Sequence, residues 1–167
     1  MNNSEFRLKR IQTDIKSAQG SMAMALLLTL IYIVRAVISK NLNFYFSLYT
    51  AEFLIKFSDF APGCRGSLPK PAAAVLIAVF IVAALIFTVL SQKKPAFLYG
   101  CLALYGFDTV FMLAGKLTGF FSPFVQEDFI DIVVHAFILT FLIIGVIGYE
   151  KLKNPDVSEV KEEENNG

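Results

Sequence analysis

The sequence predicts an all-α, polytopic integral membrane protein with four transmembrane helices in a bundle. Three observations carry that expectation. The chain of 167 residues is 56% hydrophobic, with a mean hydropathy of +0.61; soluble domains run at about 45–50% apolar. The excess is gathered into four long runs, and crossing about 30 Å of hydrocarbon takes roughly 20 mostly apolar residues. Lysines and arginines flank these runs in the way that anchors a helix at the membrane surface.

Residues 1–20 form a basic arm, expected to be cytoplasmic and amphipathic. Leu8, Ile11 and Ile15 recur at helical spacing, while Arg7, Lys9, Arg10 and Lys16 fall mostly elsewhere. A short helix on anionic lipid has this pattern, as does a solvated arm obeying the positive-inside rule. The membrane domain then runs over 21–150. Its first span, 21–38, reads SMAMALLLTLIYIVRAVI and carries Arg35 near its end. The arm before it is long for a signal peptide and RAVISK is a poor cleavage site, so an uncleaved helix is expected.

An outer loop follows over 39–70. Its stretch NFYFSLYTAEFLIKFSDF is dense in aromatics and interrupted by Glu52, Lys56 and Asp59. Glu52 and Lys56 stand in the favourable i,i+4 order. We expect an interfacial helix or a re-entrant piece; a fifth span is the alternative, with three charges against it.

The second span, 71–90, has no charge and opens on Pro71, a residue tolerated in the first turn of a helix. SQKKP makes a tight polar turn into the third span, 96–117, with Asp108 inside it. TGFFSP breaks the chain before the fourth span, 129–149, and the proline of KNP stops that helix. The tail over 151–167 is acidic and too polar to fold, so disorder is expected there.

Placing both termini in the cytoplasm puts Arg7, Lys9, Arg10, Lys16, Lys93, Lys94, Lys151 and Lys153 on the positive side of a cell membrane. The formal net charge is +1, and the basic residues flank apolar runs, so no nucleic-acid partner is expected. The partners expected are the lipid bilayer and a homo-oligomer or larger membrane complex. Cys64 and Cys101 form no CxxC, which excludes a zinc knuckle or a thioredoxin-type pair. They belong most of a bilayer apart, beyond the roughly 7 Å that a disulfide allows.

The chemistry, if any, lies in four ionisable groups inside spans: Arg35, Asp108, Asp131 and His135. Such groups cost on the order of 2.5–3.5 kcal/mol at the bilayer centre on insertion scales. At a rise of about 1.5 Å per residue, Asp108 lies roughly 14 Å below the outer end of its helix and His135 roughly 9 Å. All four groups therefore fall in the outer half of the bilayer. Asp128, Asp131 and His135 share a helical stripe, and the third and fourth spans are joined by a short loop. Asp108 is thus expected to face His135 or Asp131, with Arg35 neutralising an acid.

Each residue also has a plainer reading. Arg35 snorkels beside Lys40; Asp131 caps the fourth helix; His135 is an interhelical hydrogen-bond donor. A metal held by Asp108, Asp131 and His135 is disfavoured by the single histidine, and no metal is expected. The stripe Cys101, Tyr105, Asp108, Met112, Gly115 reads as a packing face. There is no HExxH, GxSxG or phosphate-cradling glycine loop, so neither an enzyme nor a cofactor is expected.

The function these features favour is an accessory or structural subunit of a membrane complex, with the polar cluster fixing structure or sensing pH. The alternative is a small oligomeric transporter or channel with Asp108 and His135 as a proton or ion relay.

Overall fold

The computed structural model describes residues 3–39, 48–58, 68–118 and 126–154. The helices are α1 (Asn3–Ser39), α2 (Tyr49–Lys56), α3 (Lys70–Lys93), α4 (Leu98–Leu117) and α5 (Gln126–Lys153). A single 3-10 turn, Pro95–Phe97, links α3 to α4. Among the described residues, four helices are long and apolar enough to cross a membrane: α1, α3, α4 with its preceding turn, and α5.

Local sequence explains the boundaries. Pro71 sits in the first turn of α3, where its missing N–H costs nothing. Pro95 ends the helical ladder after Lys94 and starts the turn into α4. At the far end of α5, Asn154 still donates its N–H to the Glu150 carbonyl, and Pro155 follows.

One expectation is corrected at the N-terminus. The basic arm is not a separate piece ending at residue 20. It is continuous with the first span in one helix of 37 residues. At about 1.5 Å per residue that is roughly 55 Å, well beyond the hydrocarbon thickness. Nothing in the sequence breaks it, because it has no proline and Gly20 alone costs only about 1 kcal/mol. Ile15 and Ala18 of the former arm are buried core residues, so packing against α5 holds the extension in place.

The four long helices form a ring in the order α1, α5, α4, α3, each packed on the next and the last back on the first. Neighbours are antiparallel. The side chain of Gln19 reaches the Ser91 carbonyl at one end of the α1–α3 seam, and Ala36 clusters with Ile77 at the other. We call the end that holds the start of α1 and the end of α5 the terminal end, and the opposite one the loop end.

The α1–α5 seam is the most extensive, and Gly145 shows why it can close so tightly. A Cβ there would overlap the Cβ of Ala18 and press on the Asp14 carbonyl at 3.4 Å. Small residues let backbones approach where lipid supplies no hydrophobic drive to association. The outer surface is correspondingly apolar: Val75, Val79, Phe107, Val110 and Phe137 are all exposed. The interior instead holds Thr29, Asp108, Asp131 and His135.

The connection between α1 and α3 contributes α2, eight residues long and so only about 12 Å. It is too short for a fifth span. Its N-terminus lies deep in the bundle, where the Leu48 N–H donates to Thr29 Oγ1 at 2.9 Å. Its C-terminus returns to the start of α3, where Leu68 N–H meets the Phe57 carbonyl at 3.4 Å. The segment is therefore a short helix whose start is tucked between α1 and α4. Its aromatics are the wedge: Tyr49 and Phe53 both pack on Phe111 of α4, with centroids at 5.6 and 4.8 Å. The expected Glu52–Lys56 ion pair forms on the flank beside Tyr49. Cys101 is a buried free thiol, whereas Cys64, Lys40 and the acidic tail from 155 onward lie outside the described residues.

Candidate functional site

The polar core is built where α2 meets α4 and α5. On α4 the buried residues Leu98, Cys101, Tyr105, Asp108 and Met112 form one stripe, which turns Asp108 toward the bundle axis. On α5 the buried stripe is Asp131, His135, Ile138, Leu142 and Val146, at spacings of three and four. Asp108 is 0% exposed, His135 2% and Asp131 4%.

Asp108 receives the first turn of α2. The Tyr49 N–H donates to its Oδ2 at 2.9 Å and the Thr50 N–H to its Oδ1 at 2.7 Å. Those are orphan donors that every helix start must satisfy. The N-cap position of α2 is Leu48, whose side chain accepts nothing. A carboxylate borrowed from another helix takes the place of the missing cap, and the dipole of α2 favours its negative charge. Thr29 completes the collar by accepting from Leu48, while its own hydroxyl donates to the Ala25 carbonyl at 2.7 Å.

His135 closes the third side. Its Nδ1 lies 2.9 Å from the Asp131 backbone carbonyl, and its Nε2 lies 3.3 Å from Asp108 Oδ2. The carbonyl can only accept, so Nδ1 carries a proton. The neutral ring then turns a lone pair toward the carboxylate, whereas the imidazolium donates to both partners. The Tyr105 ring stacks on the imidazole at 5.4 Å, sealing it from the terminal side.

A second group of charges sits nearer the loop end. The ammonium of Lys116 pairs with Asp128 and, at 2.8 Å, with Asp131 Oδ2. Asp131 Oδ1 is buried and has no protein partner. Lys116 also lies 6.0 Å from the centroid of the Tyr49 ring. A small polar cavity of about 30 Å³ lies here, lined by Tyr49, Glu52, Lys56, Gly115, Lys116 and Asp128 among others. That is room for about one water. The Tyr49 phenol has its pKa pushed up to about 12, by burial first and by the nearby Glu52 charge second. The polar chain thus has two hydrogen-bonded runs that join only through the covalent frame of Asp131: Asp128, Lys116 and the Asp131 carboxylate on one side, and the Asp131 backbone carbonyl, His135, Asp108 and the start of α2 on the other.

On the terminal side of this chain the bundle is filled by Met22, Leu26, Ala84, Leu98 and Leu142, part of one hydrophobic cluster. Of the four residues singled out in the sequence, the structure brings Asp108, Asp131 and His135 together and leaves Arg35 out. Arg35 is exposed on α1, and the cation at the acids is Lys116. Asp131 is not a cap either: it is beyond the first turn of α5, and its carboxylate faces Lys116.

Sequence reasoning missed Lys116, Thr29 and the backbone of Tyr49 and Thr50. The available signal for Lys116 was its place one turn from the end of its helix, opposite Asp128 across a short loop. Among the described residues no three His, Cys, Asp or Glu side chains converge as a metal-ligand set. Comparison of the chain with family models, curated proteins and solved structures finds no match.

Proposed function

We propose that this chain is a non-catalytic membrane subunit whose buried polar cluster fixes the short helix α2 in place, presenting the aromatic loop end to a partner in a larger complex or to further copies of itself. One observation carries the reading: both oxygens of Asp108 are engaged by backbone N–H groups of α2. A carboxylate used as a helix cap is committed to structure, because carrying a proton would cost one of those hydrogen bonds each time. The clustering of lysines and arginines at the terminal end supports an orientation with both termini in the cytoplasm of a cell membrane. The apolar face between α1 and α3, lined by Ala36, Ile55, Ala74, Ile77 and Ala78 among others, supports contact with another membrane helix or with lipid chains.

A second reading, a proton or ion relay, is favoured by the burial of Asp108, His135 and the Asp131–Lys116 pair within one cluster. The same experiment separates the two. The purified chain is reconstituted into liposomes holding a pH-sensitive dye, with and without Asp108→Asn, and its thermal stability is measured alongside. The subunit reading predicts no flux above protein-free liposomes and a clear loss of stability in the variant. Flux that disappears with Asp108→Asn, in a variant as stable as the parent, would establish the relay instead.

A further inference from the structure

At the terminal end, α1 and α5 leave a groove of about 290 Å³ between them, lined by Arg7, Arg10, Ile11 and Asp14 from α1 and by Ile144, Ile147, Gly148 and Lys151 from α5. Its residues are graded along the bundle axis. Arg7, Arg10 and Lys151 stand at the mouth. Ile147 and Ile144 lie one and two turns below Lys151, both exposed and continuous with the exposed Ile143. Among the described residues no carboxylate lies within ion-pair distance of Arg10 or Lys151. Two long cationic side chains thus share one mouth with Arg7, above an apolar floor that opens to the lipid-facing surface.

We propose that this groove binds an anionic phospholipid, its phosphate held by Arg7, Arg10 and Lys151 and its upper acyl chain lying on Ile144 and Ile147. Basic pockets between membrane helices at the level of the headgroups recognise phosphate in this way, and arginine engages it with a planar fork of donors. A soluble phosphate would use the cations but gain nothing from the isoleucine floor, so the apolar half of the groove selects lipid. The site is far from the Asp108 cluster and does not depend on what that cluster does.

The test uses the full chain in a neutral detergent, titrated with phosphatidylglycerol or phosphatidylcholine, with bound lipid counted by native mass spectrometry. Phosphatidylglycerol should bind in preference to phosphatidylcholine. The double variant Arg10→Gln/Lys151→Gln should weaken phosphatidylglycerol about 25-fold, taking about fivefold per charge removed near the headgroup. Lys93→Gln/Lys94→Gln removes the same charge at the same end but outside the groove, and should weaken it by less than about fivefold. Asp14→Asn, which removes the acid of the groove, should tighten binding, a gain that misfolding cannot produce. Equal losses in the two double variants, or a loss with Asp14→Asn, would overturn the site. Displacement of phosphatidylglycerol by an equal concentration of inorganic phosphate would overturn the lipid as its occupant.

Discussion

Asp108 holds three partners at once, and that arithmetic sets what its substitution does. Asparagine keeps one acceptor oxygen but turns an NH2 toward the other backbone N–H, so one helix-cap bond becomes a donor–donor clash. A hydrogen bond to a charged group contributes about 1.5–3 kcal/mol, and the clash leaves a buried donor unmet. Asp108→Asn should therefore destabilise the fold by about 2 kcal/mol or more, measured as a shift in denaturation in detergent. A variant as stable as the parent would show that α2 does not depend on this carboxylate.

Tyr49 gives a second residue-scale prediction. Its phenol pKa is raised from 10.0 to about 12 in the folded chain. A raised pKa means the folded state keeps a proton that the unfolded state has released. The contribution to stability is complete below pH 10 and is lost as pH rises from there to about 12. Tyr49→Phe should remove that part of the alkaline fall in stability, which spectrophotometric tyrosine titration of parent and variant would register as one late-titrating phenol lost. A parent in which every tyrosine titrates near the ordinary value would contradict it.

At the scale of elements, α2 is kept by two devices, the polar collar at its N-terminus and the aromatic wedge on α4. Gly115 belongs to the second. A Cβ there would collide with the Tyr49 hydroxyl and come within 3.0 Å of two ring carbons. Gly115→Ala should cost about 1–3 kcal/mol, as overpacking does, and Tyr49→Phe should recover part of it by removing the colliding oxygen. A double-mutant cycle on denaturation measures the coupling; strictly additive effects would mean the two do not touch.

The sequence disclosed the spans because the hydrocarbon thickness fixes how many apolar residues a crossing needs. It disclosed the shared depth of Asp108, Asp131 and His135 because the helical rise is constant. Rotation was hidden. Arg35 and Lys116 lie at comparable depth, and only the packing of α1 and α4 decides which one faces the acids. The depth at which α2 starts was hidden for a different reason. Glu52 and Lys56 cancel each other within α2, and Tyr49 and Phe53, which suggest an interface, turn inward onto Phe111. The continuity of α1 was obscured by reading charge as a boundary, when the chain has no helix breaker there.

At the scale of the whole molecule, a ring of antiparallel helices in the order α1, α5, α4, α3 brings the start of α1 and the end of α5 to one end. Tags at either terminus should be reached from the same side of the membrane, and protease protection in oriented vesicles reads this directly; opposite sides would break the four-span architecture. The buried thiol of Cys101 should stay unreactive toward maleimides until the fold is disrupted. The central claim, that a carboxylate from α4 holds the start of α2 inside the bundle, is tested most directly by amide hydrogen exchange across α2. The account predicts slow exchange at Tyr49 and Thr50 in the parent. It predicts a selective acceleration there in Asp108→Asn, with the central turns of α4 and α5 unchanged. Fast exchange at those two amides in the parent, or exchange indifferent to Asp108→Asn, would contradict it.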